Sequence, residues 1–387
     1  MLGRRLWSRW AIGVLCSSVL LLAGCGDFFT KDTGGGGGGG GSVGSYIYLG
    51  TQSGILASYS VSTTGALAAL SGSPYQLATA AVNSLAVTPS NTFLYAGVAG
   101  IGVYGLSLSS STGVGTLIDT NALVQDVAPA AVTVDPTGKY LLVAGLANGA
   151  AAVGEYVINS DGTLSEATIS PVTITFPANT DTTNLSIQNI AVAPNSSYVF
   201  VTLGQLGVAP LPYNNSGGLT ANTVILTPKL SSNIANQDLG VAVNATSSAL
   251  FIGETNAGVR VFTIGASSSF KEISGSPFAA GGQPRSITLD GTGDYLYAAD
   301  ASTNAISGYT VLSSGTLTAL PGSPFSSVGS QPFALSLDQS KKFLLSANLG
   351  GSPSLQLFSF DATTAGKLDP GATATDTSLP AAIASTH

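Results

Sequence analysis

One pattern recurs along most of this 387-residue chain. It runs from a small-residue strand through a Pro or Gly turn to an aromatic-led strand, then a third strand, and often ends in Gly-Thr-Leu with a polar tail. The spacing is roughly 45–58 residues, enough for four short strands and their turns. The clearest copy reads Gln283-Pro284-Arg285-Ser286-Ile287-Thr288-Leu289, then Asp290-Gly291-Thr292-Gly293, then Asp294-Tyr295-Leu296-Tyr297-Ala298-Ala299. Such a unit cannot bury both faces alone, so its copies must stack on one another.

Aromatic-class strands begin near Tyr46, Phe93, Tyr140, Tyr198, Leu250, Tyr295 and Phe343. Their small-residue partners lie near Leu85, Val132, Ile190, Val241, Ile287 and Leu335, one fewer than needed. The missing partner stands at the other end of the chain, as Pro380-Ala381-Ala382-Ile383-Ala384-Ser385. Pairing the two chain ends in one sheet removes the free edges of an open stack. The sequence therefore predicts an all-β, seven-bladed β-propeller with four-stranded blades, blade one closed by the C-terminal strand. Composition agrees: 44% of residues are hydrophobic, 8% charged, and 49 are glycine. That suits strands and tight turns and does not match disorder, which pairs low hydrophobicity with high charge.

Turn chemistry supports the strand boundaries. Asp135-Pro136-Thr137-Gly138 fits a type I turn, with Asp capping the first position, Pro presetting the second and Gly suiting the fourth. Thr88-Pro89-Ser90-Asn91 and Ala193-Pro194-Asn195-Ser196 are variants of it. Outer strands end in Ser-Pro-aromatic runs at Ser73-Pro74-Tyr75, Ser276-Pro277-Phe278 and Ser323-Pro324-Phe325, where a missing N–H does no harm at an edge.

Residues 1–24 read as a lipoprotein signal peptide. Arg4, Arg5 and Arg9 precede an apolar stretch from Ala11 to Ala23, too short for the about 20 apolar residues of a spanning helix. The stretch runs into Leu22-Ala23-Gly24-Cys25, which resembles the lipobox of bacterial lipoproteins, with Cys25 as the lipidation site. Gly26 in place of Asp points to the outer membrane as the destination within the cell envelope. With Cys16 removed, no disulfide is left to the exported chain. Residues 25–44 read as a lipidated Gly-rich tether spanning roughly 20–25 Å, and residues 45–387 as the propeller. Gly40-Gly41-Ser42-Val43-Gly44 matches G-x-S-x-G, but that nucleophile elbow needs a strand before it and a helix after it, and polyglycine supplies neither.

Without its leader the chain holds nine basic residues against 19 acidic ones, and its only arginines are Arg260 and Arg285. No Lys/Arg cluster is left to track phosphates, so nucleic acid is excluded as a partner. His/Cys ligands for zinc and the alternating oxygen ligands of a calcium loop are missing, so no metal and no cofactor is expected.

The Gly-Thr-Leu-x-x-x-x-Gly-Ser-Pro-Phe blade end and the Asp-x-x-Gly-x-Tyr-Leu-x-x-Ala core resemble the lactonase-like seven-bladed propellers. That family includes the bacterial 6-phosphogluconolactonase propellers and related YVTN-type repeat proteins. Its enzymatic members carry Gly-Pro-Arg-His at an inner strand and Asn-Glu after the next one. The resemblance implies anion binding by the Arg and proton transfer by the His and Glu. Here the matching segments read Gln283-Pro284-Arg285-Ser286 and Asp300-Ala301, so Arg285 is kept while Ser286 and Ala301 replace the His and Glu. The one histidine, His387, is the terminal residue and poorly placed as a base.

Arg285 is thus the leading site candidate, either aimed at an anion in the axial mouth or held as a rim arginine by Asp300 or Asp238. Glu254, close in register to Asp300 one blade earlier, is expected at the same mouth. Asp290 and Asp294 flank one turn and read as its caps. Two functions follow. One is a monomeric, lipid-anchored binding module for a protein or small anionic sugar ligand. The other is a lactonase with a rearranged site using Arg285, Glu254 or Asp300. Convergence of Arg285 with a second ionisable group would favour the lactonase; an unpaired Arg285 would favour binding.

Overall fold

The computed structural model describes residues 42–387 apart from 168–169, 217, 229, 232–233 and 377. The signal peptide, Cys25 and the glycine run lie outside the described residues. The described chain is all strand and turn, arranged as seven antiparallel blades.

Blades two to seven each begin on an inner strand: Val82–Val87, Ala128–Val134, Leu185–Val192, Asp238–Val243, Pro284–Leu289 and Pro332–Leu337. Each inner strand pairs with the aromatic-class strand that follows it. In blade one that role falls to Pro380–Ser385, which pairs with Val43–Thr51 in the register Ile47↔Ser385 and Leu49↔Ile383. The predicted ring closure is what the chain does. The first strand starts at Val43, two residues inside the expected tether, because Val43 still pairs with Ser62 and Ser42 accepts from the Thr63 N–H at 3.0 Å. A strand, not a helix, therefore follows Ser42, and no nucleophile elbow forms.

The core lies between blades. Seven apolar clusters each join two neighbours, from Tyr48 and Leu56 of blade one against Leu94 and Ala96 of blade two, round to Leu345 and Leu355 of blade seven against Ile47 and Leu49 of blade one. An open arc of seven blades would have only six such interfaces. Tyrosines rivet the interfaces: the hydroxyls of Tyr48, Tyr95 and Tyr297 donate to the carbonyls of Gly113, Gly162 and Gly366 in the next blade, at 2.7, 2.9 and 2.6 Å. Burial pushes each of these hydroxyls well above its ordinary acidity range, so they stay protonated as donors.

The turns follow the same repeat. Asp135 accepts from the N–H groups of Thr137, Lys139 and Tyr140, and Asp338 does the same for Ser340, Lys342 and Phe343. Asp290 caps its turn through the N–H groups of Thr292 and Tyr295; the expected Asp294 cap is not formed, since among the described residues its side chain has no partner and its backbone N–H bonds Thr292 Oγ1. In the Ser-Pro segments, Ser73, Ser170, Ser276 and Ser323 each accept from a backbone N–H fifteen residues earlier, at 2.8–3.1 Å.

Candidate functional site

All seven inner strands run the same way along the axis and enclose a cavity of about 440 Å³. Near the start of these strands the ladder slips: register shifts fall between Val82 and Ser84, Pro284 and Ser286, and Pro332 and Ala334, with counterparts in the other blades. A bulge leaves one residue unpaired and re-aims its side chain. Those residues are Asn83, Arg285 and Phe333, with Ala130, Leu239 and Ala381 at the matching places, and all line the cavity. Blade four has a longer irregularity and contributes Gln188. The ring is neutral except for Arg285.

Arg285 is half-buried, with its guanidinium 5.2 Å from the centre of the Phe333 ring. Burial lowers its pKa from the ordinary guanidinium value, though a guanidinium remains charged in a protein. It forms no hydrogen bond and no ion pair with any described residue. A cation stacked on an aromatic face with open donors in a polar cavity is arranged to meet an anion or a carbonyl oxygen.

The expected partners lie elsewhere. Asp300 is fully buried and turned into its own loop, accepting from the N–H groups of Gln283 and Ser302 and from Ser302 Oγ at 3.0, 2.9 and 2.7 Å. Glu254, expected at the mouth, is also fully buried. Its Oε2 receives Arg260 Nη1 at 2.9 Å and its Oε1 receives Asn236 Nδ2 at 3.0 Å. The reason is register. Arg260 lies opposite Ile252, and on one sheet face Glu254 is its diagonal neighbour. Arg260 also pairs with Glu272 at 3.3 Å, so the charge of Glu254 is satisfied within blade five. Asp238, on the inner strand at the other side of Glu254's strand, pairs with Glu254 in the ladder, is equally buried, and has its pKa pushed well up, first by burial and then by the charge of Glu254.

Ser286, where the resemblance leads one to expect His, is a tie between blades: its Oγ accepts the Leu335 N–H at 3.1 Å. Ser84 of blade two does the same for Val132 of blade three, at 2.9 Å. Ala301 lines a second cavity beside Arg285. His387 bonds the carbonyl of Val87, the last residue of its inner strand, and so sits at the opposite end of the channel from Arg285. The described residues hold no group of three or more His, Cys, Asp or Glu able to bind a metal. Phe333 was not foreseen as a site residue. Its signal was present, because Gln331-Pro332-Phe333-Ala334 repeats Gln283-Pro284-Arg285-Ser286 one blade later.

Comparison with known proteins agrees with the geometry of the ring. The family model described as lactonase, seven-bladed β-propeller, matches residues 41–231 and 241–381. Among solved structures, a 6-phosphogluconolactonase candidate from Bacteroides fragilis superposes with a TM-score of 0.70 at 19% identity, covering 89% of this chain and 98% of that one. The periplasmic gluconolactonase of Pseudomonas aeruginosa superposes at 0.63 with 16% identity, covering 89% and 99%. At these identities the likeness is one of fold. None of the curated proteins matches.

Proposed function

This chain belongs to the lactonase family of seven-bladed β-propellers, and we propose that its axial channel takes a sugar-acid lactone, with Arg285 meeting the carbonyl oxygen. The observation that carries this is the unpaired guanidinium of Arg285 on the Phe333 ring, the one charge in an otherwise neutral channel wall. Family membership favours a lactone over an unspecified protein partner. A single cation in the channel suffices for one carbonyl oxygen or one carboxylate, so a lactone without phosphate is the simplest fit. The gluconolactonase named among the similar folds acts in a periplasm, which suits the exported address read from the leader.

The chemistry open to this site is electrostatic. Water attacks the carbonyl carbon and the negative charge grows on the carbonyl oxygen, where Arg285 stabilises it. The bond to the ring oxygen then breaks, the ring oxygen takes a proton from solvent, and the attacking water has lost one to solvent. Glu254, Asp238 and Asp300 are buried away from the channel and Ser286 is engaged by Leu335, so no side-chain base enters. Hydrolysis should therefore rise with hydroxide, without the acid limb that a carboxylate base imposes.

A second reading is recognition without turnover, favoured by the lack of a base and by Arg285 having no second ionisable group within reach. Purified protein with gluconolactone decides. Hydrolysis above background that Arg285→Ala removes supports the lactonase. Gluconate binding lost in Arg285→Ala, with hydrolysis at background, supports the receptor. Neither effect would end both readings. The lipid anchor at Cys25 is part of the same proposal: palmitate should label the full chain, and Cys25→Ser should abolish the label.

A further inference from the structure

Arg285 borders two cavities. Besides the axial channel, a space of about 380 Å³ opens between blades six and seven, lined by Gln283, Arg285, Ala301, Ser302, Asn304, Ser330, Gln331 and Leu349. That volume falls within the ~300–1,000 Å³ of small-molecule sites. Its wall differs from the channel's. Five of the eight lining residues are neutral amide or hydroxyl side chains, and the cation is the arginine already described.

The rim of this space is built on unusual backbone. Asn304 and Gln331 sit at φ values of 54° and 55°, in the left-handed region that a glutamine seldom occupies. Both are held there: Asn304 Oδ1 accepts the Gln331 N–H at 2.7 Å, and the Gln331 carbonyl accepts the Leu349 N–H at 2.9 Å. This fixes the backbone of Gln331 at the opening; its side-chain amide is exposed there, with no partner of its own among the described residues. The Asn304 amide keeps its N–H₂ free because only its oxygen is used. The amide of Gln283 and the hydroxyl of Ser330 are likewise unengaged. Ser302 donates to Asp300 and can still accept. Ala301 contributes only a methyl group and leaves the space beside Arg285 open.

We infer that the ligand is a sugar acid bearing a second, uncharged sugar ring: its lactone or carboxylate end at Arg285 in the channel, its second ring between blades six and seven. This rests on the sugar-acid reading of the channel and extends it from one ring to two. Neutral donors and acceptors around one cleft match a ring of hydroxyl groups, which offers both functions and no charge. A second anionic group would find no second cation there. A wholly apolar group would leave four amide or hydroxyl side chains desolvated and unpaired.

Calorimetric titration of the full-length protein with gluconate, 6-phosphogluconate and lactobionate, a gluconate carrying a galactosyl ring, tests this. Lactobionate should bind about tenfold more tightly than gluconate, and 6-phosphogluconate no more tightly than gluconate. Ala301→Phe, which fills the space, should bring the ratio of lactobionate to gluconate affinity close to one. Gln331→Ala should lower the same ratio through lost hydrogen bonds, and it stands in if Ala301→Phe fails to fold. Lactobionate binding no more tightly than gluconate, or a ratio untouched by both variants, would overturn the second-ring site while leaving the channel reading in place. If neither ligand binds and gluconolactone is hydrolysed no faster than background, the channel reading fails and takes this inference with it; if gluconolactone is turned over but lactobionate does not bind, only the second-ring site fails.

Discussion

Blades five and six carry the only two arginines of the described chain, and they use them in opposite ways. In blade five, Arg260 is 4% exposed and spans Glu254 and Glu272, with its Nη1 also on the carbonyl of Thr227 at 2.8 Å. In blade six, Arg285 stands on a bulge, stacks on Phe333 and engages no acceptor. The carboxylates at the ends of the neighbouring strands are equally buried in the two blades. Glu254 is answered by an arginine, whereas Asp300 is answered by the backbone of its own loop. Arg260 on the third strand of blade five thus serves stability, while Arg285 on the innermost strand of blade six is left free for a ligand. What separates them is the direction of the side chain. Arg260 lies in a regular ladder and points into the blade; Arg285 lies at a slip in the ladder and points to the axis.

The largest test of this contrast is Arg260→Met. It leaves the fully buried Glu254 without its cation and the partly exposed Glu272 without its partner, and breaking a buried pair from one side costs about 3–5 kcal/mol. Urea unfolding should show that loss, and a change below about 1 kcal/mol would mean that Arg260 does not hold blade five together. Arg285→Ala is the converse. Its unfolding free energy should fall by less than about 1 kcal/mol, the scale of one exposed cation–π contact. Gluconate affinity should drop by roughly ten- to a hundredfold, as for loss of a charged hydrogen-bond partner worth about 1.5–3 kcal/mol. A strongly destabilised Arg285→Ala would erase the distinction between the two arginines.

The fold was legible because it is written seven times. Turn residues, aromatic-led strands and a surplus strand at the C-terminus each point to ring closure, and those signals are local. Arg285 was legible for a related reason: it is the one charged residue at positions that are elsewhere Asn, Ala, Leu, Gln or Phe. The fate of Glu254 was not. Its place at a strand end suggested the mouth, but whether a strand-end carboxylate faces solvent depends on what stands diagonally opposite, and that follows from register. Once Ile252 is paired with Arg260, the ion pair could have been read from the sequence. The bulges that aim Arg285 and Phe333 leave no comparable mark, since a bulge is a property of the ladder and not of one residue type.

Asp238→Asn sharpens the account of blade five with a smaller, pH-dependent effect. Asp238 is buried beside Glu254, and neither of its oxygens accepts a hydrogen bond from an N–H or hydroxyl donor. Burial, and then the charge of Glu254, raise its pKa in the folded state. The folded chain therefore keeps a proton that the unfolded chain releases near about pH 4. Its contribution is complete below that pH and is lost as pH rises through the raised folded value, by at most about 1.4 kcal/mol per pH unit. Asn cannot titrate, so the variant should lack this decline and gain on the parent as pH increases. Parallel stability–pH curves for the two proteins would mean that Asp238 holds no proton in the fold.

The smallest expected effect belongs to Ser286→Ala, and it separates structure from chemistry at the hydroxyl that follows Arg285 on its own strand. Ser286 Oγ accepts the Leu335 N–H, as Ser84 Oγ accepts that of Val132. Removing either oxygen leaves one backbone donor of the next blade without its partner, at a cost of about 1 kcal/mol. If Ser286 only ties blades six and seven, then Ser286→Ala and Ser84→Ala should lower stability by similar amounts. Gluconolactone turnover, where present, should then change less than twofold, because the water attack described above never touches Ser286. Loss of turnover in Ser286→Ala alone, with stability matching Ser84→Ala, would make Ser286 a participant. Arg285 would then have a chemical partner on its own strand, and blade six would differ from blade five in its reactive groups as well as in the direction of an arginine.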